Sequence, residues 1–142
     1  MPAYSAARDL PASREDVWAY LAEPNHLDDW WPGLHGVEPD RRGLAPGARW
    51  RIQGRERPAY VLGRRPDFAG TLIFLAVRPP EFAAWQFVEA RLDVELQLTE
   101  RAADRTRVEL TVSAPLLSGL RRSLPHKALT RLQALCQTAA EG

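Results

Sequence analysis

Cysteine and lysine each occur once in this sequence, and long apolar runs are missing. The single Cys136 excludes an internal disulfide and a thiol cluster for a metal, which is typical of a reducing compartment, so we expect a cytoplasmic location. The longest apolar stretch, TLIFLAV, is far shorter than the ~20 residues that span a bilayer, and the N-terminus lacks the apolar core of a signal peptide. We therefore predict no stable membrane insertion.

The charge balance excludes another class of function. The 18 arginines and one lysine stand against 18 acidic residues, which leaves a net charge of only +1. A charge this small creates no field that would attract nucleic acid, so we expect no nucleic-acid partner. At 142 residues the chain fits one domain, residues 1–142, that buries roughly two thirds of its unfolded surface.

The sequence motifs of common reaction classes are also missing. The chain contains no HExxH, CxxC, G-x-S-x-G, P-loop or GxGxxG. The three histidines, His26, His35 and His126, lie far apart and lack ligand-like spacing with carboxylates, so no metal and no cofactor is expected. Enzymatic activity stays an open question, and binding is favoured because no set of residues compels a reaction.

What the sequence does contain begins with a strand and two short helices. Residues 3–10 form the predicted strand. Ser13 and Asp16 have the spacing of a capping box, and the apolar residues that follow, up to Pro24, have helical spacing. Residues 25–30 add a second short helical turn.

The remaining chain alternates apolar and polar residues before it ends in a helical segment. RLDVELQLT and TRVELTVSA are typical of antiparallel strands with one wet face. GTLIFLAV is apolar on both sides, and its length, β-branched content and flanking Gly and Pro favour a strand over a helix. Residues 116–140 have the longest helical stripe, in which Pro125 either lies in the first turn of a helix from Ser123 or kinks a longer helix from Ser118.

This order of elements predicts a gap between the sheet and the last helix. A sheet with one polar face must bury the other face, and only the C-terminal helix is long enough to cover it. A helix about 10 Å wide does not fill one side of a seven-stranded sheet. An unrelaxed empty pocket of ~300 Å³ would cost about 7 kcal/mol. The gap is therefore filled by side chains, by water or by a ligand.

Four segments carry a resemblance to a known family: LPASREDVWAYLAEPNHLDDWWPGL, PGARWRI, LQLTERAADRTRVELTVSA and the closing helix. With them, the chain resembles the START-like or SRPBCC superfamily, in particular its bacterial polyketide cyclase/dehydrase-type members. The resemblance implies an α+β helix-grip fold, in which a curved seven-stranded antiparallel sheet wraps around a long C-terminal helix, with two short helices after strand 1. It also implies a deep apolar cavity for lipids, polyketides, sterols or other hydrophobic small molecules, on which a minority of members do chemistry.

Large apolar and aromatic side chains are the candidates to line this cavity. Adjacent side chains point in different directions, so one of Trp30 and Trp31 is expected to pack under the sheet and the other to lie at the cavity rim. The alternative is that both rings are buried as packing, while Trp18 is expected in the core. The candidate pocket residues are Trp30, Trp31, His35, Trp50, Ile52, Tyr60, Phe74, Trp85, Phe87, Leu116, Leu120 and Leu124.

Three functional hypotheses follow from these patterns. The first is binding or transport of a hydrophobic small molecule, lipid-like or aromatic, by a monomer or weak homodimer. The second is a cyclase, aromatase or dehydratase, with His35 or Tyr60 as the candidate proton carrier and residues 55–68 as a flap at the cavity mouth. The third is a protein-interaction module that uses the arginine-rich sheet face of Arg49, Arg51, Arg55 and Arg57.

Overall fold

The computed structural model describes residues 3–54, 70–115 and 122–141, and within these ranges one sheet and three α-helices form. The predicted flap at residues 55–68, which includes Tyr60, lies outside the described residues, as do Leu116 and Leu120. In chain order the elements are β1 (Ala3–Leu10), α1 (Arg14–Ala22), a 3₁₀ turn (Pro24–His26), α2 (Leu27–Trp30), β2 (Leu34–Glu38), β3 (Arg49–Gly54), β4 (Gly70–Arg78), β5 (Phe82–Phe87), β6 (Leu92–Ala102), β7 (Arg105–Ser113) and α3 (Ser123–Glu141). The predicted α+β class and helix-grip architecture are confirmed.

The sheet has the strand order β1-β7-β6-β5-β4-β3-β2, and every neighbouring pair is antiparallel. Alternate residues of β5, of β7 and of the first part of β6 are buried, and those between them are exposed or half-buried. The buried residues of β6 and β7 face each other in the pairs Val94–Val112, Leu96–Leu110 and Leu98–Val108. The alternation read from the sequence therefore sets the register that turns one apolar face inward.

Helix α1 begins where the sequence predicts a cap. The hydroxyl of Ser13 accepts the backbone N–H of Asp16 at 3.1 Å, and two acidic residues in the first turn complement the positive end of the helix dipole. The helix ends at Ala22, just before Pro24, because proline cannot continue the backbone hydrogen bonding. Val17 is the residue of this helix that is fully buried.

Helix α3 packs at the end of the sheet that is formed by β1 and β7. It begins at Ser123 and holds Pro125 in its first turn, where a missing N–H costs nothing. Its contacts are mainly with β1, α2 and β7. The side-chain amide of Gln133 donates to the carbonyl of Asp9 at 3.2 Å and ties the helix to β1. The inner face of β3 to β5 is therefore left to other elements.

The apolar segment GTLIFLAV forms strand β4 as predicted, between β3 and β5. Leu72 and Phe74 point inward and are buried, whereas Leu75 is 58% exposed at a register shift opposite β5. A bulge of this kind inserts one unpaired residue and bends the strand. Among the helices of the described ranges, none combines the length and the apolar character needed to cross a membrane.

Candidate functional site: an apolar cavity lined by aromatic side chains

A small apolar cavity lies between the short helices, the β2–β3 loop and strands β3 to β6. It is lined by Trp18 and Leu21 of α1, Leu27 and Trp30 of α2, Leu44 of the loop, and Trp50, Phe74, Ala83, Trp85 and Leu96 of the sheet. The position of this cavity differs from the one predicted from the sequence, which placed the gap between the sheet and the C-terminal helix. The described lining residues contain none from α3, because that helix packs mainly against β1, α2 and β7.

The cavity wall has a buried inner part and a half-buried outer part. The inner side chains are Leu27, Trp30, Trp50, Phe74, Ala83, Trp85 and Leu96. Trp18, Leu21 and Leu44 form the outer part, and each keeps partial contact with solvent. Partly exposed side chains have space to change rotamer, whereas buried ones are held by their neighbours. The outer wall is therefore the side of the cavity that lies nearest to solvent.

The inner aromatic rings meet one another at steep angles. The ring centroids of Trp50 and Phe74 are 4.6 Å apart at an interplanar angle of 66°. Phe74 and Trp85 are 5.9 Å apart at 54°, and Trp30 and Trp85 are 6.5 Å apart at 89°. These separations fall in the range of favourable edge-to-face and tilted contacts. Flat rings in such arrangements do not fill the corners between them, which leaves the cavity open.

The two adjacent tryptophans are both part of the core. Trp30 is 2% exposed and Trp31 is 0% exposed, so the alternative of two buried rings is confirmed and the expectation of a rim position is wrong. Trp30 lines the cavity, whereas Trp31 packs on Phe87 with a centroid distance of 5.2 Å and on Trp85 with one of 6.1 Å. Both rings find apolar partners because α2 ends at Trp30 and turns the next residue onto the sheet.

Asp40 stabilises the β2–β3 loop, which covers the cavity, through hydrogen bonds to the backbone. Its carboxylate accepts the backbone N–H of Arg49 at 2.8 Å and that of Arg42 at 2.9 Å. These hydrogen bonds, first the one from Arg49, lower the pKa of Asp40 below its ordinary value of 3.8. The ionised carboxylate thus joins the start of the loop to the start of β3.

The same loop satisfies the indole of Trp50. The Nε1–H of Trp50 donates to the carbonyl of Gly43 at 3.0 Å. Gly43 has φ +63°, a left-handed conformation that glycine adopts without steric cost. Further along the loop, the N–H of Gly47 donates to the carbonyl of Phe74 at 2.8 Å. The loop thereby holds Leu44 over the outer side of the cavity.

Trp85 differs from Trp50 in its hydrogen bonding. Its side chain lines the same cavity and is 3% exposed, yet its Nε1–H has no acceptor among the described residues. A buried donor without a partner costs about 1–3 kcal/mol, so such a group needs an explanation. The cavity wall thus contains one unsatisfied hydrogen-bond donor in otherwise apolar surroundings.

The open space in the cavity is small. The centre of a water-sized sphere can move through about 20 Å³, which is room for about one water molecule. A buried water needs two to four polar partners, and the lining side chains are apolar apart from their indole groups. A ligand pocket of the usual size, ~300 Å³ or more, therefore requires the outer wall to move.

The structure brings together only some of the predicted pocket residues. Trp30, Trp50, Phe74 and Trp85 meet at the cavity. Four further predicted residues are buried in the core but do not line the cavity: Trp31, Ile52, Phe87 and Leu124. His35 is exposed on β2, and Tyr60, Leu116 and Leu120 lie outside the described residues.

Six lining residues were missed from the sequence: Trp18, Leu21, Leu27, Leu44, Ala83 and Leu96. Strand alternation places Ala83 on the face of Trp85, and Leu96 follows the apolar face of β6, so the signal for these two was present. Trp18, expected in the core, is half-buried at the outer wall. Leu44 lies in a loop without periodicity, and only the folded loop reveals its position.

Burial disfavours the ionised forms of Tyr20 on α1 and Cys136 on α3. Burial, and next the Asp29 carboxylate, raise the pKa of Tyr20 to about 12, and burial raises the pKa of the Cys136 thiol. The ring of His26 stacks on Tyr20 at 4.1 Å, and its Nδ1–H donates to the Tyr20 carbonyl at 2.8 Å. Within the described ranges, no group of three His, Cys, Asp or Glu residues is placed to hold a metal ion.

The fold and the apolar cavity together define a helix-grip protein. The chain belongs to the family described as "Polyketide cyclase / dehydrase and lipid transport", whose model matches residues 1–138. The resemblance to the SRPBCC superfamily is therefore confirmed. No curated protein matches the chain by sequence.

Solved structures with a similar fold come from several organisms. The protein XoxI from Bacillus cereus is 13% identical with a TM-score of 0.70, and the match covers 99% of this chain and 99% of that one. A protein from Nitrosomonas europaea is 18% identical with a TM-score of 0.69, over 96% and 95%. A norcoclaurine synthase from Thalictrum, solved with a transition-state analogue, is 14% identical with a TM-score of 0.65, over 98% and 96%. At these identities the matches show the fold alone.

Proposed function

We propose that this protein binds a small hydrophobic molecule, aromatic or lipid-like, in the cavity lined by Trp30, Trp50, Phe74 and Trp85. The observation that carries the proposal is the position of the gap, between four buried rings and a half-buried outer wall. A gap of this kind inside a well-packed core lowers stability, and filling it with apolar atoms regains the lost contacts. The family description, which includes lipid transport, supports the same function.

Entry of a ligand requires movement of the outer wall alone. Trp18, Leu21 and Leu44 are half-buried, so their displacement exposes less new apolar surface than displacement of an inner ring. Each 100 Å² of apolar ligand surface that the rings then cover contributes roughly 2.5 kcal/mol. A flat ligand gains most, because it can stack on rings that already lie at steep angles to one another.

A cyclase, aromatase or dehydratase is the alternative that the family description also allows. A general acid or base works best with a pKa near the operating pH. Among the described residues, the resolved pKa shifts move Tyr20 and Cys136 up and Asp40 down, each away from neutrality. None of these three residues lines the cavity, and the described lining side chains are indole, phenyl and aliphatic groups, which supports binding over proton transfer.

A protein-interaction role for the arginine-rich face has weaker support. Arg49 and Arg51 are exposed on β3, as the alternation predicts. Arg51 lies 4.0 Å from Glu38, and both side chains are largely solvated. An exposed ion pair of this kind is worth about 0–1 kcal/mol and is typical of an ordinary solvent face.

The test adds volume on the face of β5 that lines the cavity, and the same substitution on the other face of β5 is the control. Indane, a small fused-ring hydrocarbon, is titrated into the wild type, Ala83→Val and Ala84→Val, with tryptophan fluorescence and calorimetry as the measurements. Ala83 lines the cavity, whereas Ala84 lies on the other face of the same strand. We expect Ala83→Val to weaken indane binding at least tenfold and Ala84→Val to leave it within about twofold.

Two results would contradict the proposal. One is the absence of indane binding to the folded wild type. The other is equal binding by the three proteins, which would place the ligand elsewhere. Circular dichroism of each variant establishes that it is folded, because two added methyl groups in a packed region cost about 1–3 kcal/mol.

A further inference from the structure

Two tryptophans in the same cavity wall differ in one respect. Trp50 and Trp85 are both buried, and each ring packs against Phe74. The N–H of Trp50 donates to the Gly43 carbonyl, whereas the N–H of Trp85 has no acceptor in the described part of the chain. An apolar residue of similar shape at position 85 would avoid this cost, so the donor needs a role that the folded chain alone does not supply.

We propose that the Trp85 N–H donates a hydrogen bond to the bound molecule, which is therefore an apolar compound that carries a neutral carbonyl oxygen. This inference rests on the proposed function, since it names the class of ligand for that cavity. A ligand acceptor would satisfy this buried donor, and the rest of the ligand would contact the rings and the aliphatic side chains around it.

The chemistry of the wall favours a carbonyl over other oxygen groups. An indole donates but does not accept, so a ligand hydroxyl would receive the Trp85 hydrogen bond and leave its own O–H unpaired. A carbonyl has no hydrogen and leaves nothing unpaired. A carboxylate would bring a charge into a wall whose described lining has no cationic side chain, and burial of an unpaired charge is far more costly.

The same reasoning explains why water is a poor occupant. A water molecule that reached the Trp85 N–H would accept from it, but its own two O–H groups would face apolar side chains. A ketone, ester or quinone-type carbonyl on a flat apolar body meets the donor without this penalty. The preference is thus set by one N–H group, and it discriminates between ligands of the same size and shape.

Three probes of nearly equal shape test the inference: indane, 1-indanone and 1-indanol. We expect the wild type to bind 1-indanone about tenfold more tightly than indane, which corresponds to about 1.4 kcal/mol. 1-Indanol is expected to bind less tightly than 1-indanone. Trp85→Phe should reduce the ratio of indanone to indane affinity to about one, because it removes the donor and keeps an aromatic ring.

Trp50→Phe is the matched control. It removes an indole from the same wall, but one whose N–H already donates to the Gly43 carbonyl. We expect it to keep the tenfold preference for 1-indanone. In ¹H–¹⁵N spectra of the wild type, the indole proton signal that is missing from Trp85→Phe should move further downfield with 1-indanone than with indane, whose aromatic ring alone shifts it.

The outcomes separate this inference from the proposed function. Equal affinity for indane and 1-indanone in the wild type, or a preference that survives in Trp85→Phe, overturns the inference and leaves cavity binding intact. A Trp85 indole signal that moves no further downfield with 1-indanone than with indane also overturns it, and indicates that the N–H already points at a ring face. If neither indane nor 1-indanone binds, both the inference and the proposed function are overturned. Equal wild-type affinities for indane and 1-indanone overturn the inference even if Trp85→Phe does not fold, because that ratio is measured without the variant.

Discussion

The inner face of the sheet has two regions that are packed with different kinds of side chain. Near α3, the inner face is aliphatic, with Leu110 of β7 and Leu129 and Leu132 of α3 all fully buried. Near α1 and α2, the inner face of β3 to β5 carries aromatic rings, among them Trp50 and Trp85. The cavity lies in the aromatic region.

This difference shows that two regions of one core are built from side chains of different shape. Branched aliphatic side chains interdigitate at the density of an organic crystal, which favours stability. Rigid rings that meet at angles of 54° to 89° leave space between them. The aliphatic region is thus the part of the core that packs against α3, and the aromatic region is the part that contains the cavity.

The largest expected effect comes from truncation in the aliphatic region. Leu110→Ala should lower the free energy of unfolding by about 2–5 kcal/mol, because Leu110 is 0% exposed and its loss leaves a void. Leu44→Ala, at the half-buried outer wall of the cavity, should cost only about 1 kcal/mol. Urea unfolding of the two variants measures the difference. Equal losses would mean that the two regions contribute equally to stability.

A smaller effect should separate the two indoles within the aromatic region. Trp50→Phe leaves the Gly43 carbonyl without its donor, whereas Trp85→Phe removes a donor that was already unpaired. Both substitutions shrink the ring by the same amount. We therefore expect Trp50→Phe to destabilise the protein by about 1–3 kcal/mol more than Trp85→Phe. Chemical denaturation of the pair checks this, and the reverse order would contradict the assigned hydrogen bonds.

A third, moderate effect concerns the helix that supplies the outer wall. Ser13→Ala removes the N-cap of α1 and should cost about 1 kcal/mol. Ser5→Ala is the control on the other side of the molecule, where the hydroxyl is exposed and bonds only to the Thr111 hydroxyl. It should change stability by about 0.5 kcal/mol or less. A similar loss in both variants would argue against the cap.

The smallest effect should appear in the pH dependence of stability. The pKa of Asp40 is lowered in the folded protein, so its contribution is present above its unfolded value of 3.8 and is lost as the pH falls through the folded value. In Asp40→Asn the amide nitrogen cannot accept the second backbone N–H, and this part of the acid dependence should disappear. Thermal unfolding from pH 5 down to pH 2 compares the two proteins. An unchanged acid profile would show that Asp40 does not couple the loop to β3.

Most of the fold could be predicted from local patterns. Alternation identified β6 and β7, the Ser13 cap located α1, and the position of Pro125 limited the start of α3 to two choices. The lateral placement of α3 could not be predicted, because it depends on contacts with β1, β7 and α2 that no local pattern encodes.

The candidate site was predictable only in part, for a related reason. Aromatic residues on the inner faces of strands identified Trp50, Phe74 and Trp85. The sequence does not distinguish Trp50 from Trp85, since the difference arises from where the β2–β3 loop places the Gly43 carbonyl. Leu44 was missed for the same cause, because loop residues acquire their neighbours only in the folded chain.

The buried Cys136 gives the molecule a built-in reporter of its own opening. It is the single thiol of the chain, it lies on the packed face of α3, and burial raises its pKa. Alkylating reagents react with the exposed thiolate, so modification must await the transient release of this helix from β1, β7 and α2. The rate of labelling therefore measures how often α3 separates from the aliphatic region of the core. A change in this rate on addition of indane would show that ligand binding in the aromatic region alters the stability of the aliphatic region.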